Sequence, residues 1–421
     1  MTLDVTVPSP VDDQAPLRGF APLMRMALSG MDLTPLGTQL IARAASHPHD
    51  ANTLMDLSIV LQLLRNRELG LTLQAQALEM QQLYHLPAPG GEARIRLLAI
   101  MSLGDFMANN PLDCLLEESD IALDMLYVGA NLPFPDALPD HDVLICAINE
   151  SEQNDPLLVE LGAALEGWPR PVLNAPERIA MLSRDEACTL FGSLPGVDMP
   201  ISVRIDRQTL ERLGRDELAM AAILGDGDFP VIARPVDSHA GQGLAKLDNA
   251  ADIAGYLEMQ PDKGEFYLAR FVDYRGKDGL FRKYRIVLIE GRPFICHLGV
   301  SEHWMIHYLN AGMAESAEKR AEEARCMESF DQDFALRHQA AFQALNERMG
   351  LDYWGFDCGE TADGKLLIFE ADVGMMVHAM DPVDLFPYKR PQMRKVFAAF
   401  RQMLLNAMQR GMSGRRDSQL P

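Results

Sequence analysis

Apolar residues recur with a helical period near the start of the chain. Four leucines share one helix face by their spacing: Leu54, Leu57, Leu61 and Leu64. Residues 71–84 show a similar period, and we expect a second helix there that includes Tyr84. Region 21–90 is therefore predicted to be helical. Residues 1–20, rich in proline and aspartate, are predicted to form a disordered tail.

The pattern changes after a proline- and glycine-containing linker at 87–92. Short apolar runs suited to buried strands occupy 95–103, 121–128, 142–149 and 170–174. A helical stretch at 156–168 separates the last two runs. Strands that alternate with helices indicate βαβ units and a parallel sheet. We therefore expect a small α/β domain at 93–200.

Longer strands distinguish the region 201–410 from the domain before it. Strand-like runs occupy 229–236, 264–272, 282–299 and 365–373. Two helical stretches follow the third run, at 314–330 and 333–349, and the first is charged nearly all round, which predicts a solvated helix. Residues 411–421 form a polar tail. The predicted fold class is α/β and α+β.

Composition narrows the functional classes. The chain has 421 residues, 48% hydrophobic, with 60 acidic against 38 basic residues and a formal net charge of −22. Such a surface repels nucleic acid and anionic membranes, so we expect neither as a partner. The sequence shows no signal peptide and no apolar run long enough to span a membrane, which favours the cytoplasm. Six scattered cysteines lack zinc-like spacing and are predicted to be reduced thiols.

One loop has the composition of a phosphate cradle. An apolar strand ends at Arg234, and Ser238, Gly241 and Gly243 follow it. Glycines let a backbone approach phosphate oxygens closely, and a cation at the strand end adds a charge-assisted contact. The alternative is an ordinary hairpin loop.

Three carboxylates belong to a predicted hairpin near the end of the chain. Asp357 lies in its first strand, and Glu370 and Asp372 lie two residues apart in the second, on one face. Clustered carboxylates need cations, and their hard oxygens suit Mg²⁺, or Mn²⁺, brought in with nucleotide phosphates. The alternative is a solvated acidic edge, although the apolar residues before Glu370 indicate a buried strand.

The order of these parts resembles the ATP-grasp superfamily over about residues 93–405. The resemblance is strongest to the subgroup of glutathione synthetase, ribosomal-protein glutamate ligase and D-alanine ligase. It implies an ATP-grasp domain at 201–410 preceded by a pre-ATP-grasp α/β domain at 93–200. It also implies an ADP-forming ligase that activates a carboxylate as an acyl phosphate, which an amine then attacks. ATP and Mg²⁺ are the implied cofactors.

The resemblance assigns binding roles to individual residues. The metal pattern D…E-x-N matches Asp357, Glu370 and Asp372, with Asp in place of the final Asn. Arg184 and Arg234 stand where the family has phosphate-binding lysines, beside the loop of Ser238, Gly241 and Gly243. The adenine hinge falls on Ala269 and Phe271, without the family's acid, and Asp273 or Asp278 is left as the ribose partner.

The resemblance also implies an arginine-bearing strand beside the reacting carboxylate, with Arg282 and Arg285 as catalytic candidates. They are an odd number of residues apart, so on a regular strand they face opposite sides unless a bulge intervenes. We favour Arg285, with Lys283 on its face. Three histidines, His303, His307 and His378, are further candidates for substrate or phosphate contacts. Their alternatives are a structural role and, for the segment 297–307, a zinc site.

Residues 50–80 also resemble a tetratricopeptide repeat, over about one repeat. The matching positions are Leu54, Leu57, Ser58, Leu61, Gly70 and Ala77. The alternative is an ordinary helical hairpin. This helical segment could bind a protein or peptide partner, and a homodimer is left open. The resulting prediction is a carboxylate–amine ligase acting on small-molecule or peptide substrates. The alternatives are a kinase-like phosphotransferase without ligation and a nucleotide-binding scaffold.

Overall fold

Helices and sheets occur in both of the units into which the chain divides, Met1–Ile145 and Cys146–Pro421. The mixed α/β and α+β class is therefore confirmed. The computed structural model describes residues 14–135, 137–225, 227–236, 238 and 241–417. Most of the predicted N-terminal tail, residues 1–13, lies outside the described residues, as do the last four residues of the polar tail.

The first unit begins with helices and continues with strands. Its elements are α1 Phe20–Leu28, α2 Thr34–Ser46, α3 Ala51–Leu63, α4 Arg67–Met80, β1 Leu83–Leu86, β2 Ile95–Ser102, β3 Ile121–Val128 and β4 Val143–Cys146. The side chain of Asp50 caps α3 by accepting from Thr53 N at 3.1 Å. Helices α3 and α4 approach closely at Gly70, where a Cβ would lie 2.9 Å from the carbonyl oxygen of Ser58. The helical hairpin is thus present, whereas its kinship to a tetratricopeptide repeat stays a prediction.

The prediction that the second helix includes Tyr84 is wrong. Helix α4 ends at Met80, and Tyr84 lies in β1, which pairs antiparallel with β3. The Tyr84 side chain is fully buried and meets Tyr127 edge-on, with ring centroids 5.9 Å apart. Strand pairing and aromatic burial therefore override the local helical period.

The strands of the first unit follow the order β1-β3-β2-β4. Strands β2 and β3 are parallel, with Ile95 opposite Ile121. A parallel sheet is what the succession of strands and helices along the chain predicted. Their side chains are almost all buried, which explains why both read as continuous apolar runs rather than as alternating ones.

The second unit contains the remaining elements. They are α5 Asp155–Ala164, β5 Val172–Leu173, α6 Pro176–Ile179, α7 Arg184–Phe191, β6 Val197–Asp198, β7 Ser202–Asp206, α8 Arg207–Gly214, α9 Met220–Leu224, β8 Val231–Pro235, β9 Ala245–Leu247, α10 Asp252–Glu258, β10 Glu265–Arg270, β11 Phe281–Ile289, β12 Arg292–Ser301, α11 Ala317–Ser329, α12 Phe334–Arg337, α13 Gln339–Met349, β13 Tyr353–Glu360, β14 Leu366–Asp372 and α14 Lys389–Asp417. One sheet has the order β7-β10-β8-β9, and a second has the order β12-β11-β13-β14-β6.

The second of these sheets aligns charged residues from three neighbouring strands. Arg285 on β11 lies opposite Asp357 on β13, which lies opposite Glu370 on β14. Register shifts follow Arg285 on the β12 side and Asp357 on the β14 side. The predicted hairpin of β13 and β14 is confirmed. β-Bulges bend strands and redirect side chains. The two register shifts lie next to Arg285 and Asp357, so they can turn these side chains toward a site.

Helix α11 is not the solvated helix that its charge pattern predicted. Glu323 is fully buried and Met327 nearly so. The Glu323 carboxylate accepts from the backbone N of Leu298 at 3.0 Å and from the Tyr388 hydroxyl at 2.7 Å. These hydrogen bonds compensate the cost of burying the Glu323 carboxylate, which the charge pattern of the helix predicted to be in solvent.

Two sequence expectations concern features spread over the chain. All six cysteines lie in described residues and are unpaired; five are buried and Cys326 is half-buried. The prediction of reduced, mostly buried thiols therefore agrees with the structure. Among the described residues, the helices lack the combination of length and hydrophobicity that a membrane span requires.

Asn174 ties the segment before α6 to the start of β13. Its side chain donates to the carbonyl oxygen of Tyr353 at 2.7 Å and accepts from the N–H of the same residue at 2.9 Å. Asn174 is 1% exposed and has a left-handed backbone, with φ of 55°. It thus anchors the strand that carries Asp357.

Replacing Asn174 by alanine should lower the free energy of unfolding of the second unit by about 2–4 kcal/mol, because both backbone groups of Tyr353 lose their partner. Denaturant titration followed by tryptophan fluorescence measures this unit, since all three tryptophans belong to it. Asn174→Gly is the matched control, since it tolerates the positive φ and loses the same bonds. Unchanged midpoints in both variants would contradict the anchoring role.

Candidate active site

The centre of the candidate site is a buried carboxylate held by two cations. Asp357 is fully buried in β13. Its Oδ1 accepts from Arg285 Nε at 2.8 Å, and its Oδ2 lies 2.6 Å from Lys283 Nζ. Lys283 and Arg285 are two residues apart on β11, so both side chains reach the same side of the strand. The predicted shared face of these two residues is confirmed.

Electrostatics keep Asp357 ionised in spite of its burial. Burial by itself would raise its pKa, but the positive charges of Arg285 and Lys283 hold the pKa far below the usual range for aspartate. The same carboxylate helps to keep Arg285 charged: burial opposes the charge, and Asp357 raises the pKa of the guanidinium. The three groups therefore stabilise each other in their charged forms.

Glu370 connects this centre to the predicted phosphate-binding arginines. Arg184, the first residue of α7, places its Nη2 2.7 Å from Glu370 Oε2 and also donates to the carbonyl oxygen of Phe369. Burial would raise the pKa of Glu370, but the positive charges of Arg184, Lys283 and Arg234 together outweigh it, and the pKa is lowered. Arg234 acts on Glu370 in the same direction. The structure thus brings Arg184, Arg234 and Glu370 within electrostatic reach of one another.

Arg234 is a buried cation at the end of a strand. It is 9% exposed, and burial, followed by the charge of Arg184, lowers its pKa to about 10. Its guanidinium donates from Nε to Ser238 Oγ at 3.1 Å and from Nη2 to the Ser238 carbonyl oxygen. Two arginines that repel each other at close range favour an anion between them.

The glycine loop after Arg234 has the backbone that a phosphate cradle needs at its described positions. Gly241 and Gly243 have φ values of 75° and 66°, which other residues rarely adopt. A Cβ at Gly243 would also lie 2.8 Å from Cδ of Pro235. Residues 237, 239 and 240 of this loop lie outside the described part of the chain. Glycine is therefore favoured by conformation at both positions, and close packing requires it at Gly243 as well.

The third predicted metal ligand, Asp372, differs from the other two. It is half-buried, and its Oδ1 accepts from the N–H of Gly374 at 3.1 Å. Burial and the negative charge of Glu370 raise its pKa to about 6. In the described part of the chain, no group of three or more histidine, cysteine, aspartate or glutamate side chains is arranged to hold a metal. The metal role of the three carboxylates stays a prediction.

Arg282 lies away from this centre, as the spacing argument expected. Its guanidinium pairs with Asp278 at 2.6 Å and with Glu322 at 2.5 Å. Both pairs engage the side of β11 opposite to Lys283 and Arg285. Arg282 is therefore committed to a separate ion-pair network, which also occupies Asp278, one of the two candidates for a ribose contact.

The predicted adenine hinge continues from β10. Ala269 lies within the ladder, opposite Ser202 and Ile232, and the N–H of Phe271 donates to the carbonyl oxygen of Pro230 at 2.9 Å. The N–H of Phe271 is therefore engaged within the protein, and the role of the Ala269 and Phe271 backbone in holding adenine stays a prediction.

The other predicted nucleotide contact, Asp273, forms an exposed pair with Arg275. Lys246, a residue that the sequence analysis did not select, lies beside the hinge. Its Nζ stands 4.8 Å from the centre of the Phe271 ring. Its position on the strand that follows the glycine loop is the sequence feature by which Lys246 could have been identified.

The histidines divide by their surroundings. His303 is exposed, and its backbone N–H donates to Ser301 Oγ. The pKa of His307 is lowered by burial and then by Lys283 and Arg285, which places His307 on the side of the charged centre. His378 Nδ1 accepts from the backbone N of Met380. His307 is thus within electrostatic reach of Lys283 and Arg285, whereas His378 lies 4.0 Å from Asp381 Oδ2.

A fourth histidine, His297, entered the sequence analysis only as part of the alternative zinc segment 297–307. It lies opposite Arg285 on β12 and extends the charged row by one strand. Its ring packs 4.5 Å from that of Tyr308, and burial lowers its pKa well below the usual range. From the sequence, His297 could be identified only by pairing strand β12 with strand β11, and that pairing requires the register to be known.

Comparisons with known proteins found structural neighbours only. No family model matches the chain, and no curated protein matches it in sequence. The D-alanine–D-alanine ligase of Coxiella burnetii is similar with a TM-score of 0.45 and 10% identity over 77% of this chain and 98% of the ligase. The VanG D-Ala:D-Ser ligase of Enterococcus faecalis has a TM-score of 0.42 and 15% identity over 75% and 99%. The D-alanyl-alanine synthetase A of Vibrio cholerae has a TM-score of 0.44 and 12% identity over 76% and 99%.

Replacing Asp357 by alanine should lower the free energy of unfolding by about 3–5 kcal/mol, because it leaves the half-buried cations Lys283 and Arg285 without their counter-ion. Chemical denaturation measures the loss. Asp273→Ala is the matched control, since it removes an aspartate from an exposed pair and should change stability by less than about 1 kcal/mol. Equal losses in the two variants would contradict the central role of Asp357.

Proposed function

We propose that the chain is an ATP-dependent carboxylate–amine ligase that forms an amide through an acyl phosphate and releases ADP. The observation that carries this proposal is the interleaving of cations and carboxylates around Asp357 and Glu370. A site that must hold both anionic phosphates and a divalent cation needs fixed charges of both signs.

Arg184 and Arg234 are proposed to hold the phosphates. Both are within electrostatic reach of Glu370, and their mutual repulsion is relieved when an anion binds between them. Gly241 and Gly243 supply backbone that can approach phosphate oxygens. Lys246 and the Phe271 ring are proposed to line the adenine side. The carbonyl oxygen of Phe271 remains the hinge group to be tested there.

Glu370 and Asp372 fit a magnesium ion better than Asp357 does. Both oxygens of Asp357 already contact Lys283 or Arg285, whereas Glu370 shares one oxygen with Arg184. Oxygen ligands from one or two carboxylates, completed by phosphates and water, are typical of Mg²⁺. When bound, the ion would neutralise developing charge on the phosphates. Asp357 is proposed to act mainly by orienting Lys283 and Arg285.

Arg285, Lys283 and His307 are proposed to serve the acceptor side. Transfer of the terminal phosphoryl group to a substrate carboxylate breaks its bond to ADP and forms the acyl phosphate. The amine then attacks the acyl carbon, the bond to phosphate breaks, and the amine gives up a proton. Arg285 can stabilise the negative oxygens, because Asp357 fixes its orientation. His307 is neutral at pH 7, since its pKa is lowered, and it can accept the proton.

Affinity for a divalent cation should rise with pH through the titration of Asp372. Its pKa is about 6, so below this pH the carboxyl is protonated and cannot serve as an anionic ligand. We expect Mn²⁺ binding in the presence of ADP to be about tenfold weaker at pH 5 than at pH 7. Isothermal titration calorimetry measures this change. Asp372→Asn should remove the step, and a step that persists in this variant would exclude Asp372 as the titrating group.

The proposed activity is tested by ADP release from ATP and Mg²⁺ in the presence of amino acids, dipeptides and peptides. Amide product identified by mass spectrometry supports the ligase, whereas a stable phosphorylated product would indicate the kinase-like alternative. Arg285→Ala should lose acyl phosphate, trapped with hydroxylamine, while it keeps ATP binding. Arg282→Ala is the control and should retain most activity, because it lies in another ion-pair network. A larger effect of Arg282→Ala would show that the acceptor side is wrongly assigned.

A further inference from the structure

A buried network of charged and hydroxyl groups lies in the second unit, outside the strands that carry the charged centre. Glu323 of α11 is fully buried, and Lys389, the first residue of α14, is 3% exposed. Tyr308 lies in the segment between β12 and α11, and Asp381 lies in the segment between β14 and α14. The network therefore joins two helices to two connecting segments.

The hydroxyl of Tyr308 lies between groups of opposite charge. It accepts a hydrogen bond from Lys389 Nζ and donates one to Glu323 Oε2 at 3.0 Å. The ammonium of Lys389 also stands 4.0 Å from the centre of the Tyr308 ring. A hydroxyl has a single proton to donate, so the Tyr308 hydroxyl acts as acceptor and donor at once. These contacts hold the Tyr308 side chain in one orientation.

Lys389 occupies an unfavourable place for a cation. The N-terminus of a helix carries partial positive charge, and a buried ammonium also loses its hydration. The partners of Lys389 offset these costs, because Asp381 Oδ1 accepts from Nζ at 3.1 Å and Glu323 Oε1 lies 3.6 Å from Nζ. A methionine would fill similar space without either cost. The contacts of the ammonium, rather than side-chain packing, are thus the physical reason for a lysine here.

Both connecting segments also reach the charged centre. In the first segment, His307 directly precedes Tyr308, and its pKa is lowered by burial and then by the charges of Lys283 and Arg285. In the second segment, the carbonyl oxygen of Met376 accepts from Arg285 Nη1 at 3.4 Å. A network that holds the two segments can therefore fix the groups that surround the guanidinium of Arg285.

We propose that Lys389 and Tyr308 are positioning residues of the candidate active site. Tyr308, held between two charges, fixes the adjacent His307 within electrostatic reach of the cations of the charged centre. Lys389 holds Tyr308 and, through Asp381, the segment that carries Met376. The inference deepens the proposed function, because it rests on the acceptor side assigned there. Both residues act through the segments that they hold rather than by touching a substrate.

Tyr308→Phe tests this role, and Tyr388→Phe is its matched control. Each substitution removes one hydroxyl that donates to Glu323 Oε2, at 3.0 Å and 2.7 Å respectively, so the two costs in stability should be similar. Of these two tyrosines, only Tyr308 adjoins His307. The measurement is the titration of His307 in the full-length, ligand-free chain, followed by NMR with carbon-13-labelled histidine. His307→Gln assigns the signal.

In Tyr308→Phe, the pKa of His307 should rise toward about 6.5, the value of an unperturbed histidine. The physical reason is that a released His307 loses both its burial and its nearby cations. In Tyr388→Phe, the titration of His307 should match that of the unsubstituted chain. An unchanged titration in Tyr308→Phe, or an equal rise in both variants, would overturn the positioning role of Tyr308.

Asp381→Ala tests the second contact of Lys389. Hydrogen-exchange mass spectrometry should show about tenfold faster exchange in residues 373–388, because local opening of this segment becomes easier. Asp384→Ala, at an exposed residue of the same segment, is the matched control and should leave the exchange unchanged. Equal exchange in the two variants would refute the hold of Lys389 on this segment. Both experiments are made without ATP or substrate, so their failure is distinguishable from a failure of ligase activity.

Discussion

The burial of the Asp357 carboxylate is the constraint on which the sheet that carries the candidate active site depends. A fully buried carboxylate must find cations or give up its charge, and Asp357 finds two on the neighbouring strand, Lys283 and Arg285. Two cations from one strand can reach one carboxylate only if they share a face and if the register of β11 and β13 is fixed. The ion triad thus specifies strand alignment as well as charge.

This alignment has consequences on either side of the triad. It extends the charged row to Glu370 on β14, and through Glu370 to Arg184 at the start of α7. The chain carries a net charge of −22, yet these residues form a local site with charges of both signs. Such a site exchanges internal ion pairs for contacts with a bound anion and cation at modest cost, because each internal partner remains nearby. This property is what the ligase proposal uses.

The two units carry different kinds of site. The second unit offers interleaved charges, glycine backbone with positive φ, and a histidine, His307, whose pKa is lowered by burial and then by neighbouring cations. The first unit offers a largely apolar cavity lined by residues of α1, α3 and β3.

The sequence by itself determined the class of the fold, most strands, the β13–β14 hairpin and the opposite orientation of Arg282 and Arg285, because these follow from local periodicity and turn composition. It also selected the three carboxylates by their spacing. Only the tertiary structure decided that Tyr84 is in a strand, that Glu323 is buried, that His307 rather than His303 approaches the charged centre, and that Arg285 binds Asp357, 72 residues away. Each of these outcomes depends on a partner distant in sequence, and local patterns carry no information about which distant partner a residue will meet.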